Sequence, residues 1–382
     1  MSIDAPVQAA RDIATRVLAP AASANDKAAT FSTDAVRALG DAGLLGLMLP
    51  ADVGGRASSP ADFAAVTAAL AEADPSVAMV YLMHVVGAAA VAAAPPNPRL
   101  RAALADMAAG RHLSTLAFSE AGSRSHFWAP VSRAVSANGQ GVRISAQKSF
   151  VTGAGHAQSY VVSTLAPDAS SPTDSTLYLV PHDTPGLSIA SAWDGMGLRA
   201  NASAPMVLDE CAVPPELQLT ADRGGFATML EVVLPLFNLG SAAVALGICR
   251  AAVAATAAHL RTARFEHLGA TLGEALPTLR AQLASMQIAT DALGALIDDG
   301  VRRMTTPDDL TMLRVLEMKA AGGETAITVT SSAMRVCGGA AFARHTGIER
   351  LFRDAHAGAV MAPTADVLRE FIGKAVLGLP LF

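Results

Sequence analysis

Proton transfer and phosphate binding are the chemistries that His84, His126, Arg264 and the pair Gly338–Gly339 could perform in this chain of 382 residues. His84 sits in the apolar run VAMVYLMHVVGAAAVAAA and His126 in SRSHFW, and an imidazole is the side chain whose charge changes near neutral pH. A histidine within an apolar helix is more often a hydrogen-bonded core residue than a catalyst, so His84 carries both readings. Arg264 in TARFEHLG and the glycines of MRVCGGAAF are the residue types a pyrophosphate needs. A guanidinium fork grips phosphate oxygens, and glycine lets the backbone N–H groups come close. Taken singly, they read as a helix-end charge and a helix C-cap. Cys211, Cys249 and Cys337 are far apart and show no metal-ligand spacing, and Cys337 reads as a small buried hydrophobe.

These groups must be positioned by three textures of sequence. From the start to about residue 112 the pattern is helical, with Ser59 expected to cap a helix that has Pro60 in its first turn. Short alternating, β-branched segments follow between Leu113 and Pro214, among them GVRISAQKSFVTG, SYVVSTLA, STLYLVPHD and APMVLDECAVP. After Gly224 the chain turns helical and rich in alanine, with helices expected near 229–264, 275–300, 308–337 and 365–377. The division predicted is 1–112 helical, 113–220 β and 221–382 helical. Apolar residues are 52% of the chain and net charge is only -5, which argues for small-molecule partners or copies of itself and against nucleic acid. Two apolar runs, from Val77 and Val232, approach bilayer length, but His84, Pro235 and Asn238 within them point to buried core helices rather than membrane spans. The cysteine usage and the mixed-charge N-terminus favour a cytoplasmic setting. Trp128 and Trp193 are expected to pack the β region against the helices.

Six local motifs in order resemble the acyl-CoA dehydrogenase family of FAD flavoproteins: GLLGLMLPADVGG, LAFSEAGSRS, KSFVTGAG, WDGMGLRANASAPMVLDECAVP, MRVCGGAAF and ERLFRDA. The resemblance implies a mainly α fold with a central β domain: an N-terminal helical domain, a middle β-barrel-like domain and a C-terminal four-helix bundle. It implies FAD at an interface of a homotetramer or homodimer. Leu116, Phe118, Ser119 and Ser125 would line one flavin edge, and Phe150, Val151 and Thr152 the other, with Thr152 near N5. Arg264, Arg335, Val336, Cys337, Gly338 and Gly339 would meet the pyrophosphate and adenosine, and Thr364 and Asp366 would touch FAD from the last helix.

The family's proton acceptor is missing. Nine residues after the arginine of RDA, where relatives carry glutamate, this chain has Ala362; the alternative glutamate position falls on Phe237. Pro235 and Asn238 replace the neighbouring Asp and Arg that contact acyl-CoA in relatives, and Asn201 replaces a serine that touches the CoA portion. Loss of a positioned general base lowers a rate by about a hundred- to ten-thousandfold. The resemblance therefore implies CH–CH oxidation of an acyl thioester with a relocated base, His84 and His126 being the candidates, and an electron-acceptor flavoprotein or oxygen as partner. Glu120 corresponds to a structural glutamate rather than a base. Two alternatives stand beside this: a flavin monooxygenase or non-dehydrogenating thioester reaction on the same scaffold, and a degenerate binding subunit.

Overall fold

Helices, then strands, then helices follow one another in the computed structural model, which describes residues 5–124 and 126–381. The first block holds α1 (Ala5–Ile13), α2 (Ala19–Ala28), α3 (Thr33–Asp41), α4 (Pro60–Ala73), α5 (Pro75–Ala92) and α6 (Pro98–Ala108). Ser59 and Asp62 form a reciprocal capping box at the start of α4, with Pro60 in the first turn. Asp74 caps α5 by accepting from the N–H groups of Ser76 and Val77. α5 packs against α4, α8 and β1, and a side chain at Gly87 would press on the Thr115 backbone at 3.3 Å. The two apolar runs are accordingly core helices, 83% of each window being buried.

The middle block contains β1 (Ser114–Ala117), β2 (Ala134–Ser136), β3 (Val142–Val151), β4 (Ser159–Leu165), β5 (Ser175–Pro181), β6 (Leu187–Ile189) and β7 (Ala204–Val213). One sheet has the order β1-β4-β5, with β1 parallel to β4, and the other has the order β2-β3-β7-β6. Along most of β3, buried and exposed residues alternate, as the sequence alternation requires of a half-covered strand. The bridges Glu120↔Lys148 and Arg133↔Leu165 staple the two sheets together, giving the barrel-like middle.

In the third block, α7 (Gly225–Thr228) leads into α8 (Leu234–Thr262), a small ribbon of β8 (Arg264–Phe265) and β9 (Ala270–Thr271), then α9 (Leu272–Ala275), α10 (Pro277–Thr305), α11 (Thr311–Cys337), α12 (Gly339–Phe342), α13 (Ile348–Val360) and α14 (Ala365–Val376). The bundle is made by α8, α10, α11 and α13, with α14 against α11. Arg353 on α13 binds both carboxylate oxygens of Asp26 at 3.0 and 2.7 Å and donates to the Met196 carbonyl at 2.9 Å, so one side chain joins all three blocks. Beside it, the Leu198 N–H donates to Asp354 at 2.7 Å. Burial pushes the Asp354 carboxyl up to about 7.

Candidate active site

The segments carrying Ser119 and Phe150 come together through a buried ion pair. Lys148 Nζ lies 2.7 Å from Glu120 Oε1, both side chains are almost wholly enclosed, and Nζ also donates to the Ser163 carbonyl. The carboxylate is completed by the Val131 and Ser132 N–H groups and the Ser132 hydroxyl. Burial alone would push the Glu120 carboxyl up, yet the Lys148 charge and these hydrogen bonds bring it below its ordinary value. Glu120 is thus a framework residue and not a base. The Ser149 N–H donates to the Ser119 carbonyl at 2.8 Å, which continues the same junction.

At this junction Leu116, Phe118 and Val151 turn their side chains into the core, Ser119 is half-buried, and Phe150 is 67% exposed with a φ of 56°. A bulky residue in that region of φ is uncommon, and such strain concentrates at functional sites. The ring of Phe150 meets Trp193 edge-on at 6.1 Å, and a side chain at Gly195 would collide with the same indole. Trp193 packs on Phe150 within the middle block. Trp128 joins this block to the helices, through Phe371 of α14 at 5.5 Å. Thr152, buried, shares a hydrogen bond of 3.0 Å with the Ser203 hydroxyl, and the Ser203 N–H donates to Asn201 Oδ1. Ser125 lies outside the described residues.

The two histidines part company. His84 is fully buried, its Nε2 bonded to the Leu45 carbonyl at 3.0 Å while its Nδ1 accepts from the Ser114 N–H at 3.0 Å. A neutral ring donating at Nε2 and accepting at Nδ1 has no lone pair left for a substrate proton. Burial also pushes it down to about 4. The geometry removes His84 from the candidate bases and makes it a brace between the Leu45 loop, α5 and β1. His126 is exposed and stacks on Trp128 at 5.0 Å. With Trp128, Asp366, Glu370, Phe371 and Lys374 it lines an open cavity of about 450 Å³ between the middle block and α14.

Phe237 and the stretch around Ala362, where the resemblance implies a carboxylate, both lie beside a lysine that the motifs did not single out. Lys319 on α11 is 2% exposed, and its Nζ donates to the carbonyls of Gly358, Met361 and Pro363 at 3.4, 3.0 and 2.7 Å. The Phe237 ring lies 5.9 Å from the same nitrogen. Asn238 is buried, donating to the Val315 carbonyl. The signal for Lys319 was its place on the 3.6-residue stripe with Val315, Leu316, Gly322, Gly323 and Ala326, all buried on α11.

The remaining residues named from the sequence lie elsewhere on the third block. Arg264 is exposed in the β8–β9 ribbon and donates to the Gly269 carbonyl at 2.7 Å. At the end of α11, Arg335, Gly338 and Gly339 are exposed, and a side chain at either glycine would meet nothing within 4 Å. Val336 and Cys337 are buried, so only their backbone faces that opening; burial raises the Cys337 thiol, in keeping with an inert core residue. Thr364 is the N-cap residue of α14, and Asp366, in its first turn, is exposed.

Three family profiles match in chain order: the acyl-CoA dehydrogenase N-terminal domain over residues 4–111, the middle domain over 115–211 and the C-terminal domain over 223–377. Cyclohex-1-ene-1-carbonyl-CoA dehydrogenase of Geobacter metallireducens is 27% identical over 96% of both chains. The 3-sulfinopropanoyl-CoA desulfinase of Advenella mimigardefordensis is 26% identical over 97% of this chain and 92% of its own. Butyryl-CoA dehydrogenase from Megasphaera elsdenii has the same fold, with a TM-score of 0.92, 21% identity and 98% of both chains covered. With all three domains present in order, the chain belongs to the acyl-CoA dehydrogenase family of FAD-dependent oxidoreductases.

Proposed function

We propose that the protein oxidises the CH–CH bond of an acyl thioester and that His126 takes the place of the usual carboxylate as proton acceptor. The reading rests chiefly on His126, the sequence-named histidine that opens onto a cavity beside the junction of the two flavin-edge segments. A neutral imidazole has a nitrogen lone pair that can accept an α-proton.

The residues present fit FAD. Open space around Gly338 and Gly339 leaves their backbone free to meet a pyrophosphate, with Arg264 and Arg335 as exposed cations. Thr152 and Ser203 offer hydroxyls, and the exposed Phe150 an apolar face, for the ring. Bound there, FAD supplies a hydride acceptor. Around it, the chain's own residues would orient the thioester and hold the proton at His126 Nδ1 or Nε2. The exposed side chains of Phe342, Val360, Val376 and Leu377 support association of copies into a homodimer or homotetramer.

Anaerobic mixing of the FAD-loaded protein with a series of acyl-CoA esters tests the reading. Bleaching of the oxidised flavin by one chain-length class is expected; a flavin that no ester bleaches overturns it. Alanine at 362 and phenylalanine at 237 favour a second reading, a thioester reaction that eliminates a substituent without α-proton abstraction, as the name of the desulfinase relative suggests. A thioester product formed without net flavin reduction would establish that reaction instead.

A further inference from the structure

A protonated lysine has three N–H donors and no acceptor, and in Lys319 all three are directed at carbonyl oxygens of one short stretch, Gly358 to Pro363. That stretch links α13 to α14 and contains Ala362, the position that carries the proton acceptor in relatives. Across the same nitrogen lies Phe237, the alternative position. One enclosed cation thus lies beside both positions where the resemblance implies a carboxylate. We propose that Lys319 is a positioning residue whose ammonium, by gripping three carbonyls, fixes the 358–363 turn and with it the floor of the acyl site. This builds on the dehydrogenase reading for the acyl site, while the grip itself is a property of the free protein.

Charge, not bulk, is what the geometry requires. A neutral amine has two N–H donors and a lone pair, and the lone pair would face one of the three carbonyl oxygens. Among the described residues no carboxylate balances the ammonium: α8 meets it with Phe237, α13 and the turn meet it with carbonyls, and no charged or titratable side chain from these elements, α10 or α14 moves its proton affinity. Burial alone does so, pushing Lys319 down to about 7. The grip is therefore complete in acid and weakens as pH rises through neutrality. With its donors spent on carbonyls and its nitrogen enclosed, Lys319 is not itself the base.

Hydrogen exchange of the FAD-loaded, full-length protein tests the grip. In wild type, exchange of peptides covering 358–368, corrected for intrinsic rate, should accelerate about tenfold or more between pH 6 and 9, while peptides from β3 stay unchanged. In Lys319→Met the same peptides should exchange fast at every pH, with the slope gone. Constant protection across the pH series in wild type overturns the proposal, even if Lys319→Met fails to fold. A folded Lys319→Met with wild-type protection overturns it as well. Neither arm uses a substrate, so its failure is separate from a failure of acyl-CoA esters to bleach the flavin.

Discussion

Lys148 and Lys319 are both enclosed, and both hold a segment of the candidate active site, yet they do so by opposite means. Lys148 sits against the carboxylate of Glu120, so the pair is neutral overall and its members satisfy each other. Lys319 has only the partial charges of three carbonyls. Burying a charge without a counter-charge favours the neutral form, whereas burying a pair makes each partner dependent on the other. The flavin-edge junction of the middle block is consequently a fixed frame. The turn around Ala362 is an adjustable one, and it is where the motif resemblance implies the family's usual proton acceptor.

The largest effect should come from breaking the fixed frame. Lys148→Met leaves the Glu120 carboxylate buried without its counter-charge, and removing one partner of such a pair lowers stability by about 3–5 kcal/mol. Chemical denaturation should show that loss, together with release of flavin; a variant of unchanged stability would erase the distinction between the two lysines. The next effect bears on catalysis. His126→Asn should slow flavin bleaching by acyl-CoA about a hundredfold or more while leaving the melting temperature near that of wild type. His84→Phe should do the reverse, orphaning the Ser114 N–H and the Leu45 carbonyl at about 1–3 kcal/mol each, with the rate per folded molecule little changed. If the two histidine variants exchanged these outcomes, the assignment of brace and base would be inverted. The smallest effect belongs to the hydroxyl pair. Ser203→Ala should lower stability by about 1 kcal/mol and shift the flavin absorbance if Thr152 turns to a new partner.

Much of this arrangement was legible from residue order. The Ser59 cap, the alternation of β3 and the Ala-rich helices follow from local propensity and periodicity, which act on the chain wherever it goes. The structural part of Glu120 was also readable from its motif. What escaped was pairing across sequence distance. Nothing in VAMVYLMHVV says that the ring of His84 will find a carbonyl 39 residues upstream and an amide 30 residues downstream. Lys319 in LEMKAAGG looks like an ordinary solvated charge until its place on the apolar stripe is noticed, and its acceptors lie 39 to 44 residues further on. The Phe150–Trp193 contact escaped for a similar reason, because the sheet brings together rings 43 residues apart in the chain.

The clasp made by Arg353 has a corollary for how the molecule comes apart. Its guanidinium reaches Asp26 near the beginning of the chain and Met196 midway along it, from a helix close to the end. Deleting the first thirty residues would leave this cation with Glu349 on its own helix and without Asp26, and excising the central strands would take away its Met196 acceptor. Limited proteolysis should accordingly yield no durable fragment corresponding to one block, and heating should melt the polypeptide as a single cooperative unit.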